Sequence, residues 1–254
     1  MTSQNLHSLF QNAQSNGLSR QSVDLLVQNL DGQTGLGCVG AQVDDLNTDD
    51  VTLLAVLLDE SGSMDSVRND VIDAFNQMMR ALHDSKAKDS ILVSAWKFAN
   101  SPSLLFNYTP IDNVKDLTAQ DYTPNGGTAL YDATMDSFTG IVGYGQDLRN
   151  NGIRTRCIVV VVTDGGDNSS GHSAASVRTV ALDLLRQEYY SLAFVGFGDE
   201  PMFTQIAQAM GFPSLMTAGT GAKEIRKALN LVSGSIIKAS QAKIQPTGNN
   251  FFTP

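Results

Sequence analysis

The sequence predicts a doubly wound, Rossmann-like α/β fold: a mostly parallel central sheet with one antiparallel edge strand and helices on both faces. Three observations carry this expectation. Residues 52–58 and 157–162 are apolar runs of the kind found in strands covered on both faces. From residue 51 onward, strand-like runs alternate with helix-like segments. Finally, the strand candidates 90–99 and 103–108 are separated only by Asn100-Ser101-Pro102, short enough for a hairpin and hence for one antiparallel edge strand.

Taken in order, the first 49 residues differ from the rest and are rich in Asn, Gln and Ser. Leu6, Leu9 and Phe10 suggest a short amphipathic helix, and Val23, Leu26, Val27 and Leu30 follow the i, i+3, i+4, i+7 pattern. A Gly-rich segment, 32–40, comes next. Residues 1–49 are read as an extension packed on a main domain of residues 50–243. That domain opens with the strand 51–58. The spacing of Val67, Val71, Phe75, Met78, Met79 and Leu82 predicts a helix over 65–83. After the hairpin come a helix over 129–143 and the most strand-like run, 156–163. A helix over 173–188 follows, with Val177, Val180, Ala181, Leu184 and Leu185 on one side. Residues 190–197 read as a strand, 201–210 as a helix opened by Pro201, and 214–217 as a short strand. The last helix, 221–242, is amphipathic through Ile225, Leu229, Val232 and Ile236. Residues 244–254 are expected to form a flexible tail, in which Phe251 and Phe252 are unusual.

Composition narrows the function classes. The 254 residues are 42% hydrophobic and 17% charged, an ordinary soluble balance. The net charge of −9 argues against sequence-independent nucleic-acid binding, which needs clustered Lys and Arg. Cys38 and Cys157 form no CxxC pattern and the three histidines are scattered, so no zinc cluster is visible. Met1 to Asn5 lack the order of a signal peptide, and the apolar runs fall far short of a membrane span. A cytoplasmic protein with no membrane segment is expected.

Three loops carry the chemistry. Asp59-Glu60-Ser61-Gly62-Ser63 follows the first buried strand and offers one carboxylate and two hydroxyls. Pro124-Asn125-Gly126-Gly127-Thr128 precedes a helix and offers a hydroxyl, with glycines that let backbone approach closely. Thr163-Asp164-Gly165-Gly166-Asp167-Asn168 ends the Val-rich strand and offers a carboxylate. In open α/β sheets ligands bind beyond the carboxyl ends of the strands. Oxygen-only donors suit a hard divalent ion.

A DxSxS loop, a later Gly-Gly-Thr loop and a TDG loop, in this order, resemble the von Willebrand factor A (vWA) family, in which they form the metal-ion-dependent adhesion site (MIDAS). The resemblance spans roughly residues 50–240. It implies Ser61, Ser63 and Thr128 as direct ligands, with Asp59 and Asp164 often acting through water. It also implies Mg²⁺, with Mn²⁺ or Ca²⁺ as substitutes, and a protein ligand that supplies an Asp or Glu carboxylate. Many bacterial intracellular members act beside AAA+ ATPases of the MoxR or chelatase type, so the resemblance implies an AAA+ ATPase as one partner class and residues 221–242, the last helix, as the mobile element.

The donor set supports this reading independently. Two carboxylates roughly neutralise a divalent ion and leave it electrophilic, and Mg²⁺ usually keeps replaceable waters. Taken singly, each loop has a plainer reading: Ser61 and Ser63 as helix caps, Asp164 as a turn residue. Two other functions compete. In a Mg²⁺-dependent phosphatase or hydrolase, Asp59 would be the nucleophile. However, haloacid dehalogenase-type phosphatases carry DxD where this chain has Ser61. In a structural subunit the metal site would be vestigial.

Gly35-Leu36-Gly37-Cys38-Val39-Gly40 spells a dinucleotide motif without the strand and helix that motif needs, and Gly219 to Lys223 lacks the spacing of a phosphate loop. Glu60 and Asp167 are expected to face solvent, His172 to be a solvated surface residue, and Trp96 and Cys157 to lie in the core.

Overall fold

β1 (Asp50–Asp59) is the middle of the molecule. Its odd residues Leu53, Ala55 and Leu57 enter one apolar cluster and its even residues Leu54, Val56 and Leu58 another, all at zero exposure. Covering on both faces is why the run is continuously apolar and not alternating. The computed structural model describes residues 3–198, 200–242 and 251–252. The remaining strands are β2 (Ile91–Phe98), β3 (Pro102–Pro110), β4 (Arg154–Thr163), β5 (Tyr190–Phe197) and β6 (Ser214–Ala218). They form one sheet in the order β3-β2-β1-β4-β5-β6. All pairs are parallel except β2 with β3, the predicted hairpin, whose register shifts near Ala95.

The helices are α1 (Ser3–Ser15), α2 (Arg20–Gln28), α3 (Gly32–Gly37), α4 (Arg68–His83), α5 (Leu130–Asn150), α6 (Ala174–Leu185), α7 (Glu200–Met210) and α8 (Ala222–Gln241). α4 and α8 cover one sheet face; α5, α6 and α7 cover the other. The chain leaves β1 toward β2 and β3, then recrosses through α5 to β4 on the other side of β1. The carboxyl ends of β1 and β4 therefore flank the point where strand order reverses, the usual ligand crevice of such sheets.

Three predicted helices change extent, α6 ending at Leu185 and not at residue 188. Residues 62–67 form a 3₁₀ turn before α4 begins at Arg68. α5 runs on to Asn150 despite Gly140, Gly143 and Gly145, which weaken a helix intrinsically. Packing overrides propensity there. A Cβ on Gly140 would sit 2.8 Å from Gly37 O, and one on Gly143 would sit 2.7 Å from Cys38 Sγ. The glycine ridge lets the N-terminal extension lie directly on α5.

α3 is a helix that the sequence reading lacks. Asp31 builds it: its Oδ1 accepts from Gln33 N (2.8 Å) and Thr34 N (2.7 Å), while Thr34 Oγ1 accepts from Asp31 N at 2.7 Å. The glycines of the discounted dinucleotide motif have a packing role. Cβ atoms on Gly37 and Gly40 would come within 2.6 Å of the Trp96 ring and 2.5 Å of Tyr108 Cβ. Trp96 and Cys157 are buried, as expected. Tyr144 on α5 stacks on Tyr108 and donates to Ala41 O at 2.7 Å.

The flexible-tail expectation is corrected at Phe251 and Phe252; residues 243–250 and 253–254 lie outside the described residues. Phe251 N donates to Ser214 Oγ at 3.0 Å, and Phe252 is buried in the α4–α8 cluster. Burial of the Phe252 ring, with Phe251 partly buried beside it, holds these two residues.

Two stability predictions follow from the α5 contacts. Gly140→Ala drives a methyl into the Gly37 backbone and should lower the urea unfolding free energy by about 1–3 kcal/mol. The second concerns Asp136 on α5, which accepts from Asn29 Nδ2 at 3.0 Å. Burial pushes its carboxyl up to about 7, offset in part by Asn29 and reinforced by the charges of Asp31 and Asp132. The folded chain then holds a proton that the unfolded chain releases near pH 4, so this residue lowers stability as pH rises from about 4 to about 7. Asp136→Asn should remove that slope and raise stability at pH 8 by on the order of 2–4 kcal/mol, with little change at pH 4, in paired urea melts.

Candidate metal centre

The three loops meet at the β1–β4 crevice. Leu58 pairs with Val162, which brings the next residues, Asp59 and Thr163, side by side. Asp59 has zero exposure. Its Oδ1 accepts from Ser61 N at 2.7 Å, its Oδ2 from Thr163 Oγ1, and its main-chain oxygen from Tyr122 Oη. Burial nevertheless raises its carboxyl to about 6, with the Thr163 and Ser61 bonds opposing and the Asp164 charge adding. Asp164 is half-buried and is also raised by burial, opposed by its bond from Ser63.

Loops one and three touch through side chains. Ser63 Oγ donates to Asp164 Oδ1 at 2.7 Å, and Ser61 Oγ lies 3.0 Å from Ser63 Oγ. Ser61 stands at the N-cap position of the 3₁₀ turn, but its side chain makes no cap hydrogen bond. The capping reading of the serines therefore does not describe what Ser61 does.

Loop two joins through its backbone. Gly62 N donates to Gly126 O at 3.1 Å, and Asn125 N to Glu60 O at 2.8 Å. Gly126 has φ +78°, a left-handed conformation that favours glycine. Thr128 N donates to Asn168 Oδ1 at 2.8 Å, and Asn168 N donates to Thr128 O at 3.0 Å. Asn100 Oδ1 accepts from Gly127 N at 2.7 Å. Thr128 is buried, and among the described residues its hydroxyl has no hydrogen-bond partner. Its main chain is held at both its N–H and its carbonyl by Asn168.

The structure thus brings Asp59, Ser61, Ser63 and Asp164 into one hydrogen-bonded chain and anchors Thr128 to the same loops. Thr163, Asn168, Asn100 and Tyr122 support them and were not singled out from sequence; only Thr163 and Asn168, inside the third loop, carried a signal. Three expectations are corrected. Glu60 does not face solvent: it is 7% exposed because Lys97 Nζ pairs with it at 3.0 Å. Asp167 is half-buried, accepting from Ser170 Oγ and from Tyr131 N at 3.3 Å. His172 is not simply solvated surface, since its Nδ1 lies 2.7 Å from Asp132 Oδ1. Among the described residues no three His, Cys, Asp or Glu side chains converge, so the candidate centre is one of two carboxylates with hydroxyls.

A family profile described as the von Willebrand factor type A domain matches residues 54–227. The chain belongs to this family. No curated protein matches it in sequence. Among solved structures, the pilus adhesin SpaC from Lactobacillus rhamnosus GG, in its open conformation, superposes with TM-score 0.56 at 14% identity, covering 76% of this chain and 30% of that one. The PilB minor pilin from Streptococcus sanguinis gives 0.53 at 12%, covering 78% and 64%. Proximal thread matrix protein 1 from the mussel byssus gives 0.51 at 16%, covering 72% and 48%. The chain thus spans less than a third of SpaC and under two thirds of PilB. At such identities these likenesses show the fold alone. The vWA match spans the three loops but leaves out the N-terminal extension. Among the described residues, no helix is long and apolar enough to cross a membrane.

The Asn168 brace can be tested in this vWA chain without any ligand. Asn168→Ala should speed hydrogen exchange at the Thr128 amide by at least about tenfold, since a 1.4 kcal/mol loss is a factor of ten. The amides of β4 should keep their protection, with both read by NMR.

Proposed function

We propose that this vWA domain is a divalent-cation-dependent protein-binding module. Ser61, Ser63 and Thr128 would hold the cation, with Asp59 and Asp164 behind them, and a partner's Asp or Glu carboxylate would complete its coordination. The observation that carries this reading is the convergence of Ser61, Ser63 and Asp164 oxygens at 2.7–3.0 Å, with the Ser61 side chain making no cap bond. The donor chemistry fits a hard ion. All donors are oxygens, and two carboxylates whose ionised forms burial disfavours would be relieved by a positive charge. Mg²⁺ is the cation expected, and the bound ion would supply an electrophilic point for an outside carboxylate.

Binding is favoured over phosphoryl chemistry by Asp59 itself. A nucleophile must reach its substrate, yet Asp59 has zero exposure and each of its carboxylate oxygens accepts a hydrogen bond from the protein. A cytoplasmic AAA+ ATPase is the partner class carried over from the sequence resemblance.

Isothermal titration and capture test the reading together. The wild-type chain should bind Mg²⁺, and the Ser61→Ala/Ser63→Ala double variant should bind at least about tenfold more weakly. Capture of a lysate partner, an AAA+ ATPase on this reading, should be lost in EDTA and with Asp59→Ala. Equal Mg²⁺ affinity in both proteins, or capture that survives EDTA, would overturn the proposal.

A further inference from the structure

We propose that Glu60 is a positioning residue: with Lys97 it fixes the irregular segment that delivers Thr128 against the loop that carries Asp59, Ser61 and Ser63. The inference rests on reading these loops as a cation site and assigns a role to a residue outside the donor set.

Residues 114–129 contain neither helix nor strand, so their backbone groups need partners from elsewhere. Side chains supply many of them. Asn76 on α4 donates to Leu117 O at 2.9 Å and accepts from Leu117 N at 2.7 Å. Arg68 donates to Tyr122 O at 2.9 Å and to Ala119 O. Lys97 on β2 donates to Asp121 O at 2.8 Å. Glu60 differs from these because it belongs to the first metal loop. Its Oε1 accepts from Lys97 Nζ at 3.0 Å, from Thr123 N and from Thr123 Oγ1 at 3.3 Å. Its main chain donates to Phe98 O at 2.7 Å and accepts from Asn125 N at 2.8 Å.

One residue therefore grips loop one, the end of β2 and the strap that leads into Gly126-Gly127-Thr128. The pair is largely withdrawn from water, with side-chain exposures of 20% for Lys97 and 10% for Glu60. A buried carboxylate that loses its cation is left uncompensated, so the geometry depends on both members. Both ends of the pair reach chain that carries candidate donors. The pair thus sets the separation of Thr128 from Ser61 and Ser63, and loosening it should weaken cation binding as well as the fold.

The test is Mn²⁺ binding by the full chain, read from the electron paramagnetic resonance of free Mn²⁺, with thermal melts in parallel. Glu60→Ala should lower Mn²⁺ affinity about 10- to 100-fold, the range typical of groups that orient ligands. Glu60→Gln should lose less, because its amide oxygen still accepts from Thr123 N. Lys97→Met should fall in the same direction as Glu60→Gln, and these two variants carry the test if Glu60→Ala does not fold. Variants that melt earlier yet bind Mn²⁺ with wild-type affinity would reduce the pair to a structural salt bridge and overturn the inference. A wild-type chain that does not bind Mn²⁺, or binds it equally well after Ser61→Ala/Ser63→Ala, would sink the cation site itself, and this inference with it. That result is read without any Glu60 variant.

Discussion

Asp59 is a carboxylate held out of water at the tip of a strand that is itself covered on both faces. Burying an ionisable oxygen pair is unfavourable unless hydrogen bonds or an opposite charge compensate. The carboxylate is compensated from two directions, by Ser61 N in its own loop and Thr163 at the end of β4, while Tyr122 from the strap before α5 binds the residue's main-chain oxygen. Each partner belongs to a segment that also carries, or leads to, a candidate donor. Satisfying one buried residue therefore brings the three loops together. The carboxyl still sits at about 6, above its ordinary range, so compensation by the protein alone is incomplete. A cation in the crevice would complete it.

The opposite end of the argument is packing. α5 begins two residues after Thr128, and any tilt of that helix would move the hydroxyl. Its outer face is covered by the N-terminal extension. Phe10, Leu26 and Cys38 share one apolar cluster with Leu53 and Leu57 of β1. In packing terms residues 6–41 form a further layer against α5, although the family match begins only at residue 54. The glycine ridge at Gly140 and Gly143 is what makes that layer fit.

Most of this was legible in the sequence, for identifiable reasons. β1 and β4 read clearly because two-face burial leaves no polar residue in the middle of either run. The hairpin read clearly because Asn100-Ser101-Pro102 leaves no room for a crossover. The three donor loops were legible because they sit at strand or helix ends and combine oxygen side chains with glycine. α3 was not, since Gly-Gln-Thr-Gly-Leu-Gly has poor helix propensity and is held by the Asp31 cap and tertiary contact. Glu60 was misread for a related reason. A Glu in a loop of small polar residues looks solvated, and its partner Lys97 lies 37 residues away on another strand. Long-range pairing of that kind leaves no local pattern.

The strap before Thr128 shows what regular structure could not supply here. A stretch of this length without helix or strand is uncommon inside a compact domain unless it serves a site. A helix or strand would place Thr128 through its own hydrogen-bond ladder and would answer only to its neighbours in that ladder. An irregular segment answers to whatever holds it, and this one is held by α4 through Asn76 and Arg68, by β2 through Lys97, and by loop one through Glu60. α4 packs in the same apolar cluster as α8. The position of Thr128 is therefore tied to the helical layer of α4 and α8 by the side-chain bonds that hold the strap leading into it. Glu60 is the side chain that ties this strap to the first loop.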